Sequence, residues 1–375
     1  MKRVFAAMVP LPALLSAAVS CAPLQDSAEL KVSVSALPQS PLDRRQDHGL
    51  VWSGEEVLVW GGHGSNQHEP FPDGAAYSPT TGSWRLLAEN DLKPRTRHST
   101  VMVGERMLVW GGFTSTHSGD PDGHLARDGA LYDPEQDSWE PIAQAPQGRS
   151  SARGVVAGEH VVFAGGHSER RQNDFLVYSV EEDTWRTIPI ESADEALTVY
   201  DLTFANGMVV AVGGSPTGVF LTSFSVDAGS TSFQEAPELV KTDPENVFVG
   251  LATSPGGKVL LALRDQEGAS LYELGPNGHS NLVAETDHAA FRPPVWATTH
   301  PLLAGDMGTV GGLGLLATGP GEFSLWNPET EQIQRFQRQE LSDYCGPSVP
   351  IADDTVIGWG GLGCSTTGVR VYLET

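Results

Sequence analysis

Residues 57–62 read VLVWGG, and the arrangement returns as MLVWGG at 107–112, VVFAGG at 161–166, VVAVGG at 209–214 and VIGWGG at 356–361. Each is an apolar run of strand length that ends in two glycines: Gly61 and Gly62, Gly111 and Gly112, Gly165 and Gly166, Gly213 and Gly214, Gly360 and Gly361. Such runs read as buried strands. Paired glycines let the backbone turn or approach a neighbour closely. The first gaps are 50, 54 and 48 residues, and the last is 147, three times 49, so two further units lie inside it. A period near 50 marks a repeat architecture.

A second element follows each diglycine: AAYSPTTGSW (75–84), ALYDPEQDSW (130–139), LVYSVEEDTW (176–185) and SLWNPETEQI (324–333). Tyr77 and Trp84, Tyr132 and Trp139, and Tyr178 and Trp185 are each seven apart, as are Trp326 and Ile333. An aromatic strand, a turn rich in Pro, Asp, Thr and Gly, and a strand opening on Trp form a hairpin. Phe224 and Phe233 frame the same unit with a longer turn, and KVLLALRD (258–265) with SLYELGPNG (270–278) is a degenerate one.

A diglycine after an apolar strand, followed by Tyr and Trp seven apart, resembles the kelch repeat. The resemblance covers nearly all of residues 30–375 and implies an all-β fold, a β-propeller of one four-stranded blade per repeat. Seven blades are expected, at 45–93, 94–147, 148–191, 197–240, 246–286, 288–340 and 343–375. The six-bladed alternative merges the fifth and sixth. The last repeat stops after three strands, whereas LKVSVSAL (30–37) alternates like a strand and precedes the first repeat. That N-terminal strand is expected to complete the last blade and so remove two sheet edges.

The chain has 375 residues with 42 Gly and 26 Pro, and its formal net charge is −24. So acidic a surface repels phosphate backbones, which argues against nucleic acid as a partner. Residues 1–20 read as an export signal: Lys2 and Arg3, an apolar stretch, then small residues before Cys21. Ala18-Val19-Ser20-Cys21 resembles a bacterial lipobox, which implies lipidation of Cys21 and a short tether over 21–29. Ordinary cleavage, leaving a free thiol, is the other reading. The expected location is therefore the bacterial cell envelope, with membrane contact only through the lipid and the protein a monomer. Cys345 and Cys364 flank the hairpin turning at Asp353-Asp354. In an exported protein they are expected to form a disulfide, with two buried thiols as the alternative.

Arg45, Arg95 and Arg149 all lie 17 residues before the second glycine of their repeats, His48 and His98 lie 14 before, and Tyr344 takes the Arg position in the last. In the kelch fold these positions ring one mouth of the propeller, where Arg can hold a carboxylate or phosphate. The alternative is that each Arg salt-bridges an acidic loop of the next blade. The loops after the diglycines carry His63, His68, His117, Asp120, Asp122, His124, Asp128 and His167. Their spacing matches no metal motif, so no metal and no cofactor is expected, and they read as solvated loops. No G-x-S-x-G, H-E-x-x-H or Walker loop occurs. Copper-radical oxidases that resemble this fold need a Tyr linked to a free Cys, which a Cys345–Cys364 bridge would remove. Three functions remain: a non-catalytic scaffold for a protein or glycan, a sugar-acid (sialic acid epimerase-like) or other carbohydrate-active enzyme, or a purely structural propeller domain of an envelope complex.

Overall fold

The computed structural model describes residues 31–64, 69–115, 124–168, 173–190, 197–215, 218–227, 229–236, 239, 248–253, 257–264, 268–275, 280–287, 309–310, 313–319, 322–327, 332–337, 347–352, 355–360 and 368–374. Cys21, Tyr344, Cys345, Gly361, Cys364 and the loop residues His68, His117, Asp120 and Asp122 lie outside the described residues.

Among the described residues, the strands sort into seven four-stranded antiparallel sheets of a β-propeller. Sheet 1 runs β2 (Gly49–Trp52), β3 (Val57–Trp60), β4 (Gly74–Ser78) and β5 (Ser83–Leu86). Sheet 2 is β6 (Ser99–Val103), β7 (Arg106–Trp110), β8 (Gly129–Asp133) and β9 (Ser138–Pro141). Sheet 3 is β10 (Arg153–Ala157), β11 (His160–Ala164), β12 (Asp174–Ser179) and β13 (Thr184–Pro189). Sheet 4 is β14 (Thr198–Ala205), β15 (Met208–Ser215), β16 (Gly218–Phe224) and β17 (Ser232–Glu235). Sheet 5 is β18 (Phe248–Thr253), β19 (Val259–Arg264), β20 (Gly268–Leu274) and β21 (Ser280–Asp287). Sheet 6 is β22 (Thr309–Val310), β23 (Leu313–Gly319), β24 (Glu322–Asn327) and β25 (Gln332–Gln337). Sheet 7 joins β26 (Ser348–Ala352), β27 (Thr355–Gly358) and β28 (Val369–Glu374) to β1 (Lys31–Ala36), which pairs antiparallel with β28 from Lys31↔Glu374 to Ala36↔Val369.

Where side chains are described, the alternating pattern of the strands places apolar groups between sheets rather than inside one. Leu58, Trp60 and Ala76 of sheet 1 pack with Met107, Val109 and Tyr132 of sheet 2. Phe175 and Val177 of sheet 3 meet Val209, Phe220 and Phe224 of sheet 4. The core is thus a series of inter-sheet layers, and each layer depends on both neighbours. Trp60, Trp110 and Trp359, each just before a diglycine, are almost wholly buried in these layers.

The diglycines do two different things. Gly61, Gly62, Gly111, Gly112, Gly165 and Gly166 have positive φ and end their strands. Gly213 and Gly214 instead stay within β15, which continues to Ser215 and pairs with β16. There glycine makes room for rings: a Cβ on Gly214 would fall 2.2 Å from the Tyr200 hydroxyl, and one on Gly213 would fall 2.5 Å from the Phe220 ring. In sheet 7, Ser348 pairs with Gly358 and Val349 with Ile357, with a register shift between Pro350 and Ala352.

Candidate functional site

The segments Arg45–His48, Arg95–His98 and Arg149–Ala152 lead into the inner strands β2, β6 and β10, at the face that carries the loops after the diglycines. One construction recurs in all three sheets. The residue after the Arg forms an isolated bridge with the residue after the diglycine: Gln46 with His63, Thr96 with Phe113, Ser150 with His167. The next residue is left-handed: Asp47, Arg97 and Ser151 have φ of 55°, 57° and 57°. That turn lets the backbone step between sheets. The Arg97 N–H donates to the Asp47 carbonyl at 2.9 Å, and the Ser151 N–H to the Arg97 carbonyl at 2.7 Å.

The repeat arginines are not an open cationic ring. Arg45, Arg95 and Arg149 have wholly buried side chains, ion-paired with Asp73, Asp128 and Asp174. Each Asp stands just before or at the start of the third strand of the same sheet, so the partner is not an acidic loop of the next blade. Arg45 Nη1 also donates to the carbonyls of Gly61 and Asp73, and Arg95 Nη1 to those of Gly111 and Asp128, at 3.1–3.2 Å. Arg45 additionally lies over the Phe71 ring. Burial pulls the Arg45 and Arg149 guanidinium pKa values below their usual range, against the opposing pull of Asp73 and Asp174. These cations hold the diglycine and the loop after it in place. The anion-binding role expected of them from sequence is corrected to a structural one, because no guanidinium face reaches solvent.

The arginine backbone is a joint between sheets. The carbonyl of Arg95 accepts from the Gly62 N–H at 3.0 Å, and that of Arg149 from the Gly112 N–H at 2.7 Å. A Cβ on Gly111 would sit 2.6 Å from the Arg149 carbonyl oxygen, so glycine is required for this approach. His48 and His98 belong to the same joint. His48 packs edge-on to Trp359 and His98 edge-on to Trp60, with centroids 5.3 and 5.2 Å apart. His48 Nε2 meets the Trp359 carbonyl at 3.2 Å. Burial, reinforced by Arg45 and Arg95 respectively, lowers both imidazole pKa values to about 3. Both rings are therefore neutral wedges between sheets, not ligand contacts.

Sequence reasoning missed a charged cluster that, among the described residues, does reach the mouth. The Asp47 carboxylate, almost buried, meets Arg97 Nε of sheet 2 at 3.1 Å and His63 Nε2 at 3.3 Å. His63 also meets the Gln46 side chain at 3.0 Å. Arg97 is 39% exposed. Its position, two after a repeat arginine, was the available signal. Asp128 is spent on Arg95, and His124 lies against Thr114. Among the described residues, no group of three or more His, Cys, Asp or Glu side chains could hold a metal ion.

A second recurrent unit binds the outer strands. Asp137 Oδ1 accepts from the Tyr132 hydroxyl of its own sheet and from the Ala88 N–H of sheet 1, at 2.6 and 2.9 Å. Trp139 Nε1 donates back to the Ala88 carbonyl at 2.9 Å. The next sheet repeats this with Asp183, Tyr178, Trp185 and Ala143. The Tyr-to-Trp spacing read from sequence is thus an inter-sheet clamp, and Trp84, Trp139 and Trp185 are its indoles.

No curated protein matches the sequence. Among solved structures, the chain is similar to one described as a novel fungal alcohol oxidase with catalytic diversity among the AA5 family, in complex with copper. The TM-score is 0.57 at 15% identity, over 92% of this chain and 76% of that one. At that identity the shared property is the fold, and the copper belongs to that protein. The KLHDC2/KLHL20/DRC7 Kelch-repeats domain matches residues 24–214, just over half of the sequence. The repeats, the propeller sheets and this match together place the chain in the kelch-repeat family.

Proposed function

We propose that the protein is an exported, lipid-anchored, non-catalytic scaffold that binds a protein or a glycan through the loops at the mouth of a seven-bladed ring closed by β1. The observation that carries this reading is the internal neutralisation of Arg45, Arg95 and Arg149. A sugar-acid enzyme would need uncompensated cations aimed at a carboxylate, and these three are used to build the fold. What remains at the mouth is the Asp47, Arg97 and His63 cluster together with loops whose sequence length varies between repeats, the usual setting for recognition. The N-terminal segment with Cys21 is the basis for export and anchoring, and the pairing of β1 with β28 supports closure.

The test replaces residues 114–124 by a Gly/Ser segment of equal length and compares it with the parent protein on a glycan array and in cross-linking to envelope proteins. The expected result is unchanged circular dichroism with loss of the parent's contacts. Conversion of N-acetylneuraminate or a hexuronate by the parent protein, followed by NMR, would overturn the scaffold reading. Anchoring is tested separately: Cys21→Ser should abolish the processed, lipid-carrying, membrane-bound species, and its persistence would overturn the anchor.

A further inference from the structure

The sheet junctions are not equally filled. After the outer-strand Trp of sheet 1 comes Arg85, which reaches into sheet 2. Its guanidinium donates to the Tyr132 hydroxyl at 3.0 Å, to the Pro134 carbonyl at 3.2 Å and to Asp137, while Glu56 holds it from its own sheet. Arg186 follows Trp185 in the same way and reaches the Val226 carbonyl of sheet 4. In sheet 4 the aromatic is Phe233 and the residue after it is Gln234. Gln234 pairs with Leu221 on the face turned toward sheet 5. It stands where Arg85 and Arg186 stand, but is shorter and uncharged.

A cleft of about 650 Å³ lies at that place, between sheets 4 and 5. Its apolar walls include Met208, Val210, Leu221, Val259 and Leu274, and Gln234 lines it too. Lys258 and Glu273 meet at 2.8 Å along its rim, with Lys258 56% exposed. An exposed pair of this kind is weak and exchanges partners readily. Leu282, at the outer-strand position where sheets 1–3 carry Trp, is 51% exposed and leaves the junction open.

We propose that this cleft receives an arginine side chain from a protein partner. Three observations agree on that occupant. The equivalent place at two other junctions already holds an arginine supplied by the preceding sheet. Apolar walls suit the methylene stem, while the Glu273 carboxylate on the rim suits the guanidinium. The chain's net charge of −24 attracts a basic partner from a distance. The proposal shares with the scaffold reading only the idea of a protein partner, and it concerns a different surface from the mouth loops.

The experiment titrates the mature protein with acetyl-Gly-Arg-Gly-amide and with the same peptide carrying citrulline, an uncharged isostere, by NMR. Gln234→Arg fills the cleft from within, as Arg85 does at its junction, and Ser223→Arg fills it from β16 should the first variant fold poorly. Saturable binding of the arginine peptide is expected, about ten-fold weaker for citrulline. Both filled variants should lose binding, and Gln234→Arg should raise Tm. Equal binding of the citrulline peptide, or unchanged binding by the filled variants, would overturn the proposal. So would self-association of the parent abolished by Gln234→Arg, which would make the occupant a second copy. Replacing residues 114–124 should leave this titration unchanged, so its failure and that of the scaffold reading are distinguishable.

Discussion

The indole Nε1 of Trp84 donates to the carbonyl oxygen of Pro38 at 3.1 Å. Pro38 follows β1 as Ala88 follows β5 and Ala143 follows β9, and each carbonyl accepts from the Trp of the adjacent sheet. The N-terminal strand is thus held at its side chains as well as through its ladder. One difference is instructive. Ala88 and Ala143 also give their N–H to Asp137 and Asp183, whereas proline has no N–H to give. Sheet 1 carries Gly82 at the position of those aspartates, with the same left-handed φ, so the acceptor is missing where the donor is missing.

Deleting residues 31–38 should expose the β28 edge and remove the Trp84 acceptor. We expect a large drop in Tm and aggregation on heating. Trp84→Phe, which keeps the ring and loses the bond, should cost about 1 kcal/mol. Thermal unfolding of the two variants checks both, and a deletion that unfolds like the parent would refute closure by β1.

Asp137→Ala and Asp183→Ala should each destabilise the protein by about 2 kcal/mol, because the Tyr hydroxyl and the Ala N–H lose their shared acceptor and a non-Gly residue is left at positive φ without a polar side chain. Gly82→Asp should bring no gain, because Pro38 offers no donor. Urea unfolding of the three variants separates them.

Arg45→Ala, Arg95→Ala and Arg149→Ala should each cost roughly 3–5 kcal/mol, since each leaves an aspartate and loop carbonyls without their buried partner. Lysine should rescue poorly because it cannot reproduce the fork. Denaturant unfolding measures the loss. A variant of normal stability that fails only in binding an anionic sugar would reinstate the cationic mouth.

His48 and His98 are neutral in the folded protein, with pKa values near 3, but take a proton near pH 6.5 when unfolded. The unfolded state therefore binds more protons between those values, and stability should fall as pH drops from about 6.5 toward 3. His48→Gln and His98→Gln should each flatten that slope while lowering stability at pH 8. Tm against pH for the parent and both variants is the measurement.

The repeat and its period were legible because backbone geometry fixes Gly and inter-sheet packing fixes Trp, each at constant offsets. The arginine register was legible too, but its meaning was not. Asp73, Asp128 and Asp174 follow their arginines at separations of 28, 33 and 25 residues, so loop length hides the pairing. The Asp137 and Asp183 clamp lay in plain view, two residues before Trp, yet its acceptor role appears only once Ala88 and Ala143 are placed beside it. The sheet 4–5 cleft has no positive sequence mark: it arises from Gln234 and Leu282 standing where other repeats carry Arg and Trp.

The direction of β1 has a mechanical consequence. Ala36 lies beside Val369, which lies beside Gly358, at the edge where the loops after the diglycines begin; Lys31 lies beside Glu374, at the opposite edge of the same sheet. Lys31 therefore marks the end of β1 on the side of the disc away from the mouth. A pull on that end along the strand would load all six β1–β28 pairs together in shear, rather than peel them one at a time. The Leu37–Gly368 bond at 2.7 Å and the Trp84–Pro38 bond stand at the far end of that ladder, so they would be strained only after the strand itself had begun to slide.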